Sequence, residues 1–115
     1  MEKILDIAHT IINSLEEKKG EEILLMDIQK VSSIADYYII CTGTSNRMID
    51  ALAEATVDTT KEIHQIKGNI EGNPESGWIL VDFGSILVHL FSPDQREFYR
   101  LEDLWNEGKI VLHLQ

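Results

Sequence analysis

The chain has 115 residues, with 20 acidic and 10 basic side chains and a formal net charge of −10 at pH 7. This balance argues against direct DNA binding, because proteins gain affinity for a nucleic acid backbone by neutralising its phosphates with basic side chains. The sequence has one cysteine, no secretory segment and no apolar run long enough to span a bilayer, so we expect a cytoplasmic protein without disulfides or membrane contact.

The N-terminal part of the chain predicts one helix and one strand. Apolar residues recur at spacings of three and four from Ile4 to Leu15, which places them on one stripe of a helix that ends at Gly20. Glu22 to Ile28 follows as a strand. Its continuous apolar middle indicates an inner position in a sheet, covered on both faces.

The next unit is a second strand that turns directly into the longest helix. Tyr37 to Cys41 is rich in aromatic and β-branched residues and again predicts an inner strand. Gly43 permits a tight bend, and either Thr44 or Ser45 can cap the helix by accepting a hydrogen bond from a free amide. Such a turn can also bind a phosphate, although a cap is the commoner role. The residues predicted to share one face of this helix are Ile49, Leu52, Thr56, Thr59, Ile63 and Ile66.

The clearest hairpin signal follows a glycine-rich segment. Lys67 to Gly77 predicts a loop or a short edge strand around Ile70. Trp78–Asp82 and Ser85–Phe91 are then two β-rich runs, and Phe83-Gly84 between them predicts a two-residue turn. Strands joined in this way pair antiparallel, which makes the hairpin the best-defined part of the predicted sheet.

The predicted two-residue turn at Phe83-Gly84 sets the register of the hairpin and divides its side chains between two different faces. Trp78 is expected opposite His89, and Leu80 opposite Leu87. One face is purely aliphatic and should meet the helices. The other mixes aromatic, polar and charged side chains, which suits contact with something outside the core: Trp78, Leu80, Asp82, Ser85, Leu87 and His89.

The C-terminal part adds a short helix and an extension. Ser92 is a plausible cap and Pro93 suits the first turn of a helix. Residues 106–115 form a C-terminal extension that either adds an edge strand or remains a tail. The order of elements predicts an α/β fold, a single domain over residues 1–115 with a mixed β-sheet packed with helices.

No motif in the sequence predicts an active site. Asp82 has Leu80 and Gly84 two positions away, so it lacks the second carboxylate of a two-metal nucleotidyltransferase site. Asp82-Phe83-Gly84 spells the kinase magnesium motif, but the other kinase motifs are missing and a hairpin turn explains it. The histidines have no metal-ligand spacing, and His89 is interpreted as packed or partner-facing. We therefore predict no enzyme activity, no metal and no cofactor.

Three separated blocks of the chain resemble the Iojap-like family of ribosomal silencing factors: DYYIICTGTSNR, GWILVDFGSILVHLF and FYRLEDLW. The resemblance covers residues 1–105. It implies a nucleotidyltransferase-like topology without the catalytic carboxylates, and a factor that binds large-subunit ribosomal protein uL-fourteen, blocks joining of the ribosomal subunits and represses translation under nutrient limitation. It also implies a homodimer when the protein is free. Ser85 departs from the family pattern, because an acidic residue commonly follows the turn glycine.

These observations lead to one set of predicted partner-binding residues, drawn from the mixed face of the hairpin and the last aromatic block: Trp78, Leu80, Asp82, His89, Tyr99, Leu101, Glu102 and Trp105. Their mixture of aromatic and acidic side chains suits a basic, partly apolar protein surface. Two other classes remain open from the sequence. One is an active nucleotidyltransferase that uses Gly43 to Ser45 and Asp82. The other is an adaptor that works outside the ribosome.

Overall fold

The described residues fold into one six-stranded sheet with helices on both faces. The structure is a computed structural model and describes residues 4–30, 32–100 and 109–114. In chain order, with a 3-10 turn at Pro74–Ser76, the helices and strands are α1 (Ile4–Glu17), β1 (Glu21–Asp27), β2 (Tyr37–Thr42), α2 (Asn46–His64), β3 (Asn69–Asn73), β4 (Trp78–Asp82), β5 (Ile86–Phe91), α3 (Pro93–Tyr99) and β6 (Lys109–Leu114).

The sheet is mixed, as the order of predicted elements indicated. Its strands lie in the order β3-β4-β5-β2-β1-β6. The pairing of β2 with β5 is parallel, and the other four pairings are antiparallel. Both strands predicted to be inner are inner, since β1 lies between β2 and β6 and β2 lies between β5 and β1. Within the extension, Lys109–Leu114 forms an edge strand, β6, and not a tail.

Helices α1 and α2 cover one face of the sheet and enclose the larger core. Side chains from both helices pack on alternate residues of β1, β2, β4 and β5. The helices also contact each other through polar atoms, since Thr10 Oγ1 lies 2.8 Å from His64 Nε2. The buried apolar residues that the helices contribute are Ile7, Ala8, Ile11, Ile12, Leu15, Ile49, Leu52 and Ala53.

The buried line of α2 differs from the predicted one in its second half. Thr60 is fully buried where the prediction had Thr59, and Ile63 is 54% exposed. The helix ends at His64, with Gln65 in a left-handed conformation at φ 57°, so Ile66 lies outside it. The prediction used spacings that average 3.4 residues. An α-helix has 3.6 residues per turn, so such a line drifts around the helix along its length.

The turn between β2 and α2 is explained by packing and capping. Ser45 is the cap, and its hydroxyl accepts a hydrogen bond from Met48 N–H at 3.1 Å. A Cβ atom at Gly43 would lie 2.8 Å from Ile49 Cγ1, so glycine is needed here because the turn packs closely against the helix. The predicted alternatives of Thr44 and Ser45 are thereby resolved in favour of Ser45.

The β4–β5 hairpin forms as predicted, but its register differs from the predicted one. Trp78 pairs with Phe91 and Leu80 pairs with His89. The prediction that Trp78 lies opposite His89 is therefore wrong by two residues. A shift of two residues leaves every side chain on its predicted face, because side chains alternate along a strand with a period of two.

The position of the turn accounts for this shift. Phe83 N–H donates to the Ile86 carbonyl at 3.0 Å, which makes Gly84 and Ser85 the central residues. Gly84 has φ 89°, a conformation that strains other residues. Asp82 Oδ1 accepts from Gly84 N–H at 2.7 Å and stabilises the turn. The glycine thus takes the first central position, where the prediction had placed Phe83.

Two hydroxyl groups of α2 generate a stability prediction. Thr56 and Thr60 are fully buried, and neither Oγ1 has a hydrogen-bond partner among the described residues. A buried hydroxyl without a partner loses its hydration and gains nothing in return. We expect Thr56→Val to raise the free energy of unfolding by about 1 kcal/mol, measured by urea denaturation. Thr59→Val, at a half-exposed position of the same helix, should change it little, and a lower stability for Thr56→Val would contradict this account.

Candidate functional site

The mixed face of the hairpin lies on the sheet face opposite α1 and α2. A second, smaller core cluster forms there, and of the described helices only α3 packs on it. Its partly buried members are Tyr38, Trp78, Leu80 and Tyr99. A sheet face with this composition, covered in part, leaves aromatic surface in contact with solvent and available to a partner.

Trp78 is the centre of an aromatic group on this face. Its ring lies 5.3 Å from that of Phe91 and 4.6 Å from that of Tyr99, measured between centroids. Ser92 caps α3 by accepting from Gln95 N–H, and the helix brings Tyr99 over β4. The structure therefore brings together two predicted site residues, Trp78 and Tyr99, that are 21 positions apart in the sequence.

His89 lies beneath this group and is only 5% exposed. Its Nδ1 accepts a hydrogen bond from the indole N–H of Trp78 at 3.2 Å. Burial lowers the pKa of His89 to about 4, so the ring is neutral at pH 7. The sequence predicted His89 as a partner-binding residue, but its burial supports a role beneath Trp78 and not a direct contact.

The other predicted residues on the hairpin lie at the rim of this face. Leu80 and Asp82 are half-buried, and the Asp82 carboxylate is engaged in the hairpin turn by its bond to Gly84. Leu101, Glu102 and Trp105, the three remaining predictions, lie outside the described residues.

Sequence reasoning missed two residues at this site. Phe98 is 77% exposed and its ring lies 5.0 Å from that of Tyr99. Glu71 pairs with Leu80 across β3 and β4, and both line a groove of about 310 Å³ beside Trp78. A signal existed for each: Phe98 opens the last aromatic block, and an edge strand around Ile70 places Glu71 next to the hairpin. We call Glu71, Trp78, Leu80, Asp82, Phe98 and Tyr99 the docking face.

Several properties of the described residues bear on metal binding, nucleophilic chemistry and membrane insertion. No group of three or more histidine, cysteine or acidic residues among them could hold a metal ion. Burial raises the pKa of Cys41 to about 12, which makes its thiol a poor nucleophile. No described helix is both long enough and apolar enough to cross a bilayer. The docking face itself presents aromatic, aliphatic and carboxylate side chains.

A second groove of about 450 Å³ lies between α3, β1 and β6. Its polar groups bond to one another: Arg96 Nη1 donates to the Glu22 carbonyl at 2.6 Å and to Thr42 Oγ1 at 3.0 Å. His113 Nε2 lies 3.0 Å from Glu22 Oε2. These bonds attach α3 to β1 and β2, and β6 to β1. The polar side chains of this groove therefore have a structural role.

Comparison with known proteins gives a consistent result. Residues 1–114 match the family described as ribosomal silencing factor during starvation. Ribosomal silencing factor RsfS of Bacillus subtilis is 37% identical over 96 residues, 84% of this chain and 81% of that protein. A crystal structure from Chromobacterium violaceum aligns with a TM-score of 0.86 at 35% identity, over 91% of this chain and 88% of that one. A mouse protein named mitochondrial assembly of ribosomal large subunit protein 1 is 32% identical over 83% of this chain and 43% of its own length.

Fold and site together define an α/β protein whose mixed sheet carries a partly exposed aromatic docking face. The chain belongs to the ribosomal silencing factor family, since the family match extends over nearly all of it. The resemblance carried by the three sequence blocks is confirmed.

The buried imidazole generates a prediction about stability and pH. The pKa of His89 is about 4 in the folded protein and about 6.5 in an unfolded chain. The unfolded state therefore binds a proton first as the pH falls, and stability is lost between pH 6.5 and 4. We expect the unmodified chain to lose about 3 kcal/mol more than His89→Asn over this interval, measured by urea denaturation at several pH values.

The difference between the two chains isolates His89, because every other ionisable group is common to both. Below pH 4 the difference should level off, since both states then carry the proton. Parallel stability curves from pH 7 to 4 would show that His89 titrates normally in the folded protein.

Proposed function

We propose that this protein is a ribosomal silencing factor that binds the large ribosomal subunit through ribosomal protein uL-fourteen. Bound there, it sterically blocks association with the small subunit and represses translation when nutrients are limiting. The protein acts in the cytoplasm, associated with the ribosome, and uses no cofactor. The observation that carries the proposal is the half-buried Trp78, held in an aromatic group on the partly covered sheet face of a chain from this family.

The composition of the docking face supports a protein partner. Trp78, Tyr99 and Phe98 form a continuous aromatic surface. Tryptophan and tyrosine are enriched among the residues that contribute most to protein–protein affinity, because they remove a large apolar area from water at low entropy cost. Leu80 extends the apolar area toward β3. A face built in this way is expected to bind through its aromatic centre.

The charge around the docking face supports a basic partner. Glu71 is exposed and Asp82 half-buried, and they lie at its rim, on a chain with a formal net charge of −10. Acidic residues at a rim speed encounter with a positively charged surface and discourage wrong partners. The mouse relative named for assembly of the ribosomal large subunit further supports a partner on that subunit.

The shape of the molecule supports a steric mechanism. Its smallest dimension is 24 Å, and α1 and α2 lie on the side of the sheet away from the docking face. Once the docking face is bound, this helical layer projects from the partner. If the bound protein lies on the surface that faces the small subunit, a body of this thickness would keep the two subunits apart, and occupancy alone would prevent joining. A homodimer of the free protein also remains a prediction.

Binding and subunit joining can be measured with the same set of proteins. The unmodified chain should cosediment with purified large subunits and slow their joining to small subunits, followed by light scattering. Trp78→Ala should weaken binding at least about thirtyfold, the equivalent of about 2 kcal/mol, because it removes the aromatic centre of the face. Phe98→Ala should weaken binding with little effect on folding, since Phe98 is 77% exposed.

Ile63→Ala is the matched control for Phe98→Ala. Ile63 is an exposed apolar residue, 54% accessible, on α2 in the opposite layer. Circular dichroism should give the folded spectrum for each variant. Binding lost equally in the control and in Phe98→Ala, or unchanged in both Trp78→Ala and Phe98→Ala, would exclude this face as the contact.

The acidic rim predicts a salt-dependent association rate. We expect the rate of binding to large subunits to fall as salt rises from about 50 to 200 mM, because screening shortens the range of the attraction. Glu71→Lys should slow association several-fold and flatten this dependence. Glu54→Lys changes the same charge at an exposed position of α2 and should have a smaller effect. A rate independent of salt would contradict the electrostatic part of the proposal.

A further inference from the structure

His89 is a polar side chain in an otherwise apolar layer. The cluster beneath the docking face consists of aliphatic and aromatic side chains, and Leu87 and Phe91 are the neighbours of His89 on the same face of β5. Only 5% of the His89 surface is exposed, and its Nε2 has no hydrogen-bond partner among the described residues. An apolar residue of similar size would avoid this unfavourable burial. The stability of the cluster therefore does not explain the imidazole.

The contacts of His89 suggest why an imidazole is present at this position. Its Nδ1 accepts from the Trp78 indole N–H at 3.2 Å, and the two ring centroids are 5.9 Å apart. The Tyr38 ring meets the imidazole edge to face at 4.7 Å, while Phe91 stacks nearly parallel at 6.1 Å, with 8° between planes. The imidazole is held by its neighbours, and its acceptor nitrogen points at the indole.

We propose that His89 is a positioning residue that fixes the orientation of the Trp78 indole for docking. The hydrogen bond requires Nδ1 to be an acceptor, so the proton of the neutral ring is on Nε2, the atom left without a partner. Trp78 also has contacts with Phe91 and Tyr99, but ring contacts alone allow the indole to slide or flip. The single directional bond selects one orientation.

This inference rests on the proposed function, in which Trp78 is the centre of the docking face. A side chain already fixed in its bound orientation loses less freedom on binding, and this difference is worth roughly three- to tenfold in affinity for one immobilised side chain. His89 would contribute this factor without touching the partner.

Two substitutions separate positioning from packing. His89→Leu keeps an apolar side chain in the cluster but removes the acceptor. His89→Asn keeps an acceptor oxygen near the position of Nδ1. We expect His89→Leu to weaken binding to purified large subunits about three- to tenfold while remaining folded by circular dichroism. His89→Asn should bind within about twofold of the unmodified chain, which a purely structural role would not predict.

The indole N–H signal of Trp78 in a ¹⁵N–¹H spectrum reports the bond in the free protein. Trp78→Phe identifies this signal among those of the two tryptophans. The N–H should exchange slowly with solvent in the unmodified chain and in His89→Asn, and faster in His89→Leu. If His89→Leu fails to fold, Trp78→Phe gives the same test, because it removes the donor and retains an aromatic ring. It should weaken binding to a similar extent.

The outcomes distinguish this inference from the proposed function. Unchanged indole exchange in His89→Leu, or unchanged binding by both His89→Leu and Trp78→Phe, would overturn the positioning role while leaving the docking face intact. Failure of the unmodified chain to bind large subunits would overturn the proposed function together with this inference. Weaker binding by His89→Leu, restored in His89→Asn and accompanied by the change in indole exchange, would support it.

Discussion

Strand β5 is buried along its entire length, and both layers of the protein depend on it. Its side chains alternate between the two faces of the sheet, so one strand contributes to two separate clusters. Ile86, Val88 and Leu90 pack under α1 and α2, whereas Leu87 and Phe91 belong to the cluster beneath the docking face. β5 pairs in parallel with β2, and these two strands are the central pair of the sheet.

The two faces are covered very unequally by the described helices. The 14 residues of α1 and the 19 of α2 lie on one face, and the seven residues of α3 lie on the other. A helix of seven residues is about 10 Å long, while six strands extend roughly 24 Å across a sheet. Among the described helices, α3 alone is too short to span this width, and Trp78, Leu80 and Tyr99 on this face are half-buried.

The docking face has an exposed rim and a packed centre. Its rim carries Glu71 and Phe98, which are both exposed. Its centre, Trp78, is fixed from beneath by a buried hydrogen bond and from the side by Tyr99. In the proposed function, a partner would meet a central side chain whose orientation is set by the layer below it.

The sequence by itself determined most of the elements and the two faces of the hairpin, but only the first half of the buried line of α2. Alternation along β4 and β5, a cap at Thr44 or Ser45, a cap at Ser92, and the apolar runs of β1 and β2 are local patterns. The apolar runs predicted both inner strands, and the order of the elements predicted the mixed sheet. Contacts between distant segments were decided only by tertiary structure. The register of the hairpin depended on which central position of the turn Gly84 occupied, with its positive φ. The burial of His89 depended on the rings of Tyr38, Trp78 and Phe91. Such contacts arise from packing between elements, which periodicity within one element does not record.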